Sequence, residues 1–179
     1  MSRRPIRRLG WVPQVLAVAV LVHIGAVWAA PRVVMALVLH AVAKRAGTSG
    51  VFHAPPVTAA ARGIPLPSPD LLYSTCTLDF AHGPVAVSVT PGTDYISLAV
   101  FDGGTDNVFV ADDQTKPGQP IKLILTGPGQ AAPLIPPDTT LVSVNTQHAL
   151  VLLRALAATP ELMGRAEAAR RSFECGAAK

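Results

Sequence analysis

Residues 71–80 read LLYSTCTLDF. In an extended chain Leu72, Ser74, Cys76, Leu78 and Phe80 share one side, and Tyr73, Thr75, Thr77 and Asp79 share the other. Strand side chains alternate between faces, so this is the pattern of a strand with one buried side. The chain that follows repeats the theme. AHGP (81–84) turns, VAVSV (85–89) alternates, and Pro91-Gly92 turns again. YISLAVF (95–101) is closed by DGGTDN (102–107), and VFVA (108–111) leads into the loop DDQTKPGQP (112–120). IKLILT (121–126), the turn GPGQ (127–130), the proline-rich PLIPPDTT (133–140) and LVSVN (141–145) come next. The run ALVLLRALA (149–157) is rich in Leu and Ala, which favours helix by propensity. Its strand-rich surroundings favour strand, and it is read as strand. TPELMGRAEAARRSF (159–173) has the marks of a helix: Thr159 as N-cap, Pro160 in the first turn, Glu161 at the positive end, and Arg170 and Arg171 in the last turns. The expectation for residues 70–179 is a mainly β domain: six or seven short strands in an antiparallel β-sandwich or barrel-like arrangement, then a C-terminal helix.

Upstream the chain changes character. Residues 1–10, MSRRPIRRLG, are basic, and residues 11–30, WVPQVLAVAVLVHIGAVWAA, carry no Lys, Arg, Asp or Glu. About 20 apolar residues cross a bilayer. Trp11 and Trp28 sit near the two ends, where amphipathic rings favour the interface. Segment 11–30 is therefore expected to be a transmembrane helix with the arginines on the cytoplasmic side. The rival is a cleaved signal, with Val27 and Ala29 before the cut. The apolar run exceeds the usual signal core, and Pro31 crowds the cleavage point, so an uncleaved anchor is preferred. Residues 31–47 read as a membrane-proximal helix or a kinked continuation, opened by Pro31 and closed by Lys44, Arg45 and Gly47; His40 on it reads as a tolerated polar group. Residues 48–69, with Pro55, Pro56, Pro65, Pro67 and Pro69, read as a linker.

Charge follows the same division. Arg3, Arg4, Arg7, Arg8, Arg32, Lys44 and Arg45 face no acid in the first fifty residues, a formal +7. The other eight basic and all eleven acidic residues leave 51–179 at −3. A nucleic-acid binder carries its basic stripe on the folded domain, so nucleic acid is set aside as a partner. A mean hydropathy of +0.39 and a charged fraction of 15% reflect the apolar N-terminus.

Chemistry is sparse. His53, His82 and His148 are dispersed and no Cys-x-x-Cys exists, so no metal centre is read. FDGGTDN with Asp112 and Asp113 fits no calcium-loop spacing. No P-loop, dinucleotide fingerprint or nucleophile elbow is present, so no cofactor and no catalytic residue are assigned. Arg154 interrupts an apolar run; a buried guanidinium needs a partner, and Asp79 or Asp102 is expected to supply it. Its functional reading is an anion-binding arginine. Two cysteines in an exported domain invite one disulfide, so Cys76 and Cys175 are expected to bond and hold the terminal helix on the first strand.

Pro69, Asp70, Leu72 and Tyr73, then Asp79, Gly83 and Pro84, resemble the start of the domain-of-unknown-function 1254 family. The likeness continues through Tyr95, Ser97, Asp102, Thr105-Asp106-Asn107, the Gly127-Pro128-Gly129 turn and Arg154, covering roughly residues 65–155. Order and spacing carry it, and no single motif is specific. DYISL and TDN depart from the Tyr-Tyr-Ser and Thr-Asn-Asn of long relatives, so the chain is most similar to the short, membrane-anchored branch. The resemblance implies a Gram-negative inner membrane, a periplasmic domain, and a separate partner chain of the domain-of-unknown-function 1214 family. It implies no reaction. The expected role is binding or assembly in the cell envelope. Two other readings stay open: an enzyme subunit with a polar site at the seam with its partner, and a lipid-binding domain with an apolar cavity. The candidate polar-site residues are Asp70, Tyr73, Asp79, Tyr95, Asp102, Asp106, Asn107 and Arg154. An enzyme predicts that they converge on a cleft; a structural role predicts that each is bonded within the framework.

Overall fold

The computed structural model describes residues 10–47, 50–58, 60–61, 67–115 and 117–178. The arginines of the basic N-terminal segment and Pro65 of the expected linker lie outside the described residues.

Helix α1 spans Val12–Ala46 and runs through Pro31 as one element. Pro13 suits its first turn, and Gly47 ends it with a φ of 76° while its N–H bonds the Ala43 carbonyl. At 35 residues it is about 52 Å long, and it is long and apolar enough to cross a membrane. It has two halves. From Trp11 to Val34 its large apolar side chains are exposed. Beyond that, Met35, Val38, Leu39 and Val42 form one stripe that packs on Phe52, Phe101 and Leu150.

The strands are β1 (Val51–His53), β2 (Leu71–Asp79), β3 (Val85–Val89), β4 (Ile96–Asp102), β5 (Asn107–Asp112), β6 (Ile121–Thr126), β7 (Thr140–Ser143), β8 (His148–Leu156) and β9 (Glu174–Ala177); helix α2 is Pro160–Arg171. Two sheets form: sheet A in the order β1-β2-β8-β4-β5 and sheet B in the order β7-β6-β3-β9. They enclose one core. Leu72, Leu78, Leu98, Val100, Val151 and Leu153 from sheet A meet Val85, Val87, Leu123 and Leu125 from sheet B. The domain is mainly β, with the terminal helix after the eighth strand.

The seven strands read from alternation are β2 to β8. Residues 148–156 are a strand despite their helical propensity, because β8 lies between β2 and β4 and pairs with both along its length. Two details correct the expectation. All neighbours are antiparallel except β6 and β7, because the connection 127–139 carries the chain back to the start of its neighbour. The disulfide forms between Cys76 and Cys175, with a Cα–Cα distance of 6.6 Å, but Cys175 lies on β9. The bond therefore joins sheet A to sheet B, not α2 to β2. Helix α2 begins as expected, with Thr159 Oγ1 accepting the Leu162 N–H.

Candidate functional site

The eight candidate polar residues divide between two ends of sheet A. Tyr73, Arg154, Ser97 and Asp112 form one row across β2, β8, β4 and β5. Asp70 and Tyr95 adjoin this row: their carbonyls accept the Ala157 and Leu156 N–H groups. Asp79 and Asp102 sit opposite His148 and Ala149, six and five positions from Arg154 along β8, or about 17–20 Å at a strand's rise. Asp106 and Asn107 share that second end. Arg154 therefore pairs with neither aspartate, which corrects the sequence expectation. It is half-buried on the outer face and its Nε donates to Ser97 Oγ at 2.9 Å.

Tyr73, Asp79, Asp102, Asn107 and Arg154 bond through their side chains within the framework, and Asp70, Tyr95 and Asp106 bond through their backbone. Asp79 caps the 3-10 turn Phe80–His82, accepting the Ala81 N–H at 2.9 Å and the Gln147 amide at 3.0 Å. The Ala81 bond, then the Gln147 bond, holds its carboxyl below the usual carboxylate range. Asp102 is buried and shapes the β4–β5 turn, accepting the Gly104 N–H at 2.7 Å and the Asp106 N–H at 3.0 Å. The Asp106 carbonyl accepts the Asp102 N–H in return. Asn107, with its amide nitrogen toward the sheet, donates to the Val100 and Phe109 carbonyls. The Tyr73 hydroxyl accepts the Ser68 N–H at 3.0 Å. Asp70 is exposed and takes a bond from its own N–H to Ser68 Oγ. Tyr95 is exposed beside the Arg165–Asp94 ion pair.

The buried cation of the domain is Arg170, not Arg154. It is 8% exposed, donates from Nη1 to the Ala54 carbonyl at 2.7 Å, and pairs through Nε with Glu167. Arg170 and then Arg171 hold the Glu167 carboxyl below its usual range. Beside them His53 Nδ1 shares a 2.8 Å bond with Ser74 Oγ. Burial first, and the Arg170 charge second, push the His53 pKa below the ordinary histidine value. Ser74 is 1% exposed while His53 is exposed, so the bond fastens β1 to β2 with the serine hydroxyl covered. Nothing in the sequence marked Arg170, since basic residues are ordinary in a helix's last turn.

A concavity lies elsewhere, on the outer face of sheet B. It is an open groove of about 760 Å³. Two cross-strand rows make its floor: Lys122, Ser88 and Glu174, and beside them Ile124, Ala86 and Gly176. Pro136 and Thr139 from the connection before β7 line it too. Small side chains at Ala86, Ser88 and Gly176 leave the floor low. Ile124 points to this outer face and is nevertheless 6% exposed. None of the eight candidate polar residues lines the groove. Among the described residues, no group of three or more His, Cys, Asp or Glu is placed to hold a metal.

Comparison with known proteins gives the same domain and no chemistry. No curated protein matches the chain. A crystal structure of a Vibrio parahaemolyticus protein is similar at 20% identity with a TM-score of 0.55, over 61% of this chain and 28% of that one. A crystal structure of an uncharacterised protein from Burkholderia cenocepacia matches at 19% identity with a TM-score of 0.47, over 75% of this chain and 37% of that one. This chain thus spans well under half the length of either. The first likeness is one of fold. Residues 50–177, which hold both sheets and α2, match the family described as protein of unknown function (DUF1254), and the chain belongs to that family.

Proposed function

We propose that this is a single-pass inner-membrane protein whose periplasmic β-sandwich is a binding and assembly module. Its partner is a separate chain of the domain-of-unknown-function 1214 family, seated in the sheet B groove. One observation carries the reading. The groove offers an apolar row at Ile124, Ala86 and Gly176 beside a polar row at Lys122, Ser88 and Glu174, about 7 Å apart on the same face. An extended segment with alternating side chains fits such a floor. The apolar half of α1 supports the anchor, and the Cys76–Cys175 bond supports an oxidising compartment. The division of the eight polar residues between two ends of sheet A, with no shared cleft, favours binding over catalysis.

The test is affinity purification from gently solubilised membranes with an N-terminal tag, because Ala177 and Ala178 line the groove. The wild-type chain is expected to bring down a stoichiometric companion-family chain, and Ala86→Trp, which fills the floor, to lose it. A wild-type chain that purifies alone overturns the proposal, as does equal capture by Ala86→Trp.

A further inference from the structure

The two sheets differ by one strand, and the difference falls at one edge of the sandwich. Sheet A has five strands and sheet B four. The Cys76–Cys175 bond sets β9 across the core from β2. β1 lies one strand further out than β2, with Val51 beside Cys76. Sheet B has no strand beyond β9, so β1 overhangs that edge. Val51 accordingly lines the groove together with Cys175 and Ala177.

The hydrogen-bond phase of β9 shows what the edge offers. The Ala178 N–H donates to the Pro84 carbonyl at 3.0 Å, and Ala177, Gly176, Cys175 and Glu174 stand opposite Val85, Ala86, Val87 and Ser88. Bonded and non-bonded pairs alternate along an antiparallel ladder. Gly176 and Glu174 therefore share the phase of Ala178 and turn their backbone groups toward β3. Cys175 and Ala177 turn theirs the other way, to the open side. Among the described residues no hydrogen bond meets them there. Sheet edges are commonly blunted by proline, lysine or a bulge. The four residues Glu-Cys-Gly-Ala of β9 carry none of these, and the β3 ladder and the disulfide hold them in place.

Charge points to the occupant. On the outer face Glu174 is exposed and has no ion pair among the described residues. The cation in its row, Lys122, is two strands away, about 10 Å at the usual spacing. A residue facing Glu174 from the open side stands about 5 Å away, and a Lys or Arg there completes the pair. The next residue of the same strand points to the opposite face, beneath Val51, where an apolar side chain fits.

We propose that a partner chain adds one strand to sheet B along the free edge of β9, with a basic side chain opposite Glu174 and an apolar one against Val51. Backbone bonds to Cys175 and Ala177 set its register, and the added strand completes the second sheet under β1. This rests on the reading that a partner occupies the sheet B groove, and it names how that partner is held.

Ala177→Pro tests it, because it removes one outward N–H and no bond to β3, and Gly176 before it has no Cβ to meet the proline ring. The N-terminally tagged full chain and the companion-family chain it brings down are compared with the variants. Ala177→Pro is expected to lower capture about tenfold or more, with little change in melting temperature. Glu174→Lys is expected to lower it several-fold in low salt. Amide exchange of the wild-type complex gives an answer that needs no variant. The Cys175 and Ala177 amides are expected to exchange about tenfold or more slowly than in the free chain, while that of Gly176, already bonded to β3, changes little. Loss of capture by Ala86→Trp, with unchanged exchange at Cys175 and Ala177 and full capture by Ala177→Pro, overturns the added strand and leaves the groove reading standing. Unchanged capture by Glu174→Lys overturns the basic side chain. A wild-type chain that purifies alone overturns both the strand and the groove reading.

Discussion

Reduction of the Cys76–Cys175 bond is the perturbation whose size follows most directly from the structure. The bond closes a loop with a sequence separation of 99 and joins the two sheets through β2 and β9. In the chain-entropy account, a loop of about 100 residues stabilises the fold by about 4.7 kcal/mol, chiefly by restricting the unfolded chain. A domain of this size has a stability of about 5–15 kcal/mol, so the loss is a third or more of the total. Guanidinium unfolding of the detergent-solubilised chain, followed by circular dichroism with and without a phosphine reductant, measures it. The reduced protein is expected to unfold at a clearly lower midpoint with a steeper denaturant dependence, since its unfolded state exposes more surface. Reduction leaves the Cys76 sulfur in the core and the Cys175 sulfur against it, so no cavity term enters. The Cys76→Ala/Cys175→Ala variant is expected to be less stable again, because Cys76 is fully buried. A loss below about 1 kcal/mol on reduction refutes the reasoning, and means that the unfolded chain already holds β2 near β9.

Three further outcomes follow from the bonding described above. Arg170→Met leaves the Ala54 carbonyl without its donor and Glu167 with Arg171 alone, and is expected to cost about 2–4 kcal/mol, against about 1 kcal/mol for Arg154→Met, by thermal unfolding. Asp102→Ala strands the Gly104 and Asp106 N–H groups and is expected to cost about 1–3 kcal/mol, with faster amide exchange confined to the β4–β5 turn. Stability is expected to fall on acidification in two stages. The folded state resists protonation of His53, so the unfolded chain binds more protons as pH drops below the ordinary histidine range, and stability declines there. Asp79 and Glu167, with folded pKa values below their unfolded ones, then lose their contribution as pH falls through and below the ordinary carboxylate range. His53→Gln is expected to remove the first stage of a pH titration of the melting temperature and to leave the second.

The strands β2 to β8 were legible because each is long enough, or bounded well enough by Gly and Pro, for period two to show. β1 and β9, of three and four residues, are too short to carry a period. The docking of α1 was hidden for a different reason. Met35, Val38, Leu39 and Val42 lie in a run that is apolar on all sides, with exposed Val33, Val34 and Leu37 opposite them, so no polar face outlines the stripe. The groove was equally silent, because Ala86, Ser88 and Gly176 become a floor only once β9 pairs beside β3. Arg154 drew attention as a charge among leucines. Its outward position on a half-covered face lets it stay wet without an aspartate, while Arg170 in an unremarkable helix end took the buried place.

The place of β8 in sheet A has a consequence for biogenesis. It is the strand that both β2 and β4 need as neighbour, yet it arrives some forty-five residues after β4 and about seventy after β2. A chain synthesised from its N-terminus presents β2 and β4 first, each with an open edge and a row of apolar side chains. Neither can close the sheet until residue 156 has emerged. Folding is thus committed late and through distant contacts, which makes it slow. The emerging half-domain must be held apart from other strands during that interval, and the packing of α1 against β1 and β2 covers part of the earliest of them.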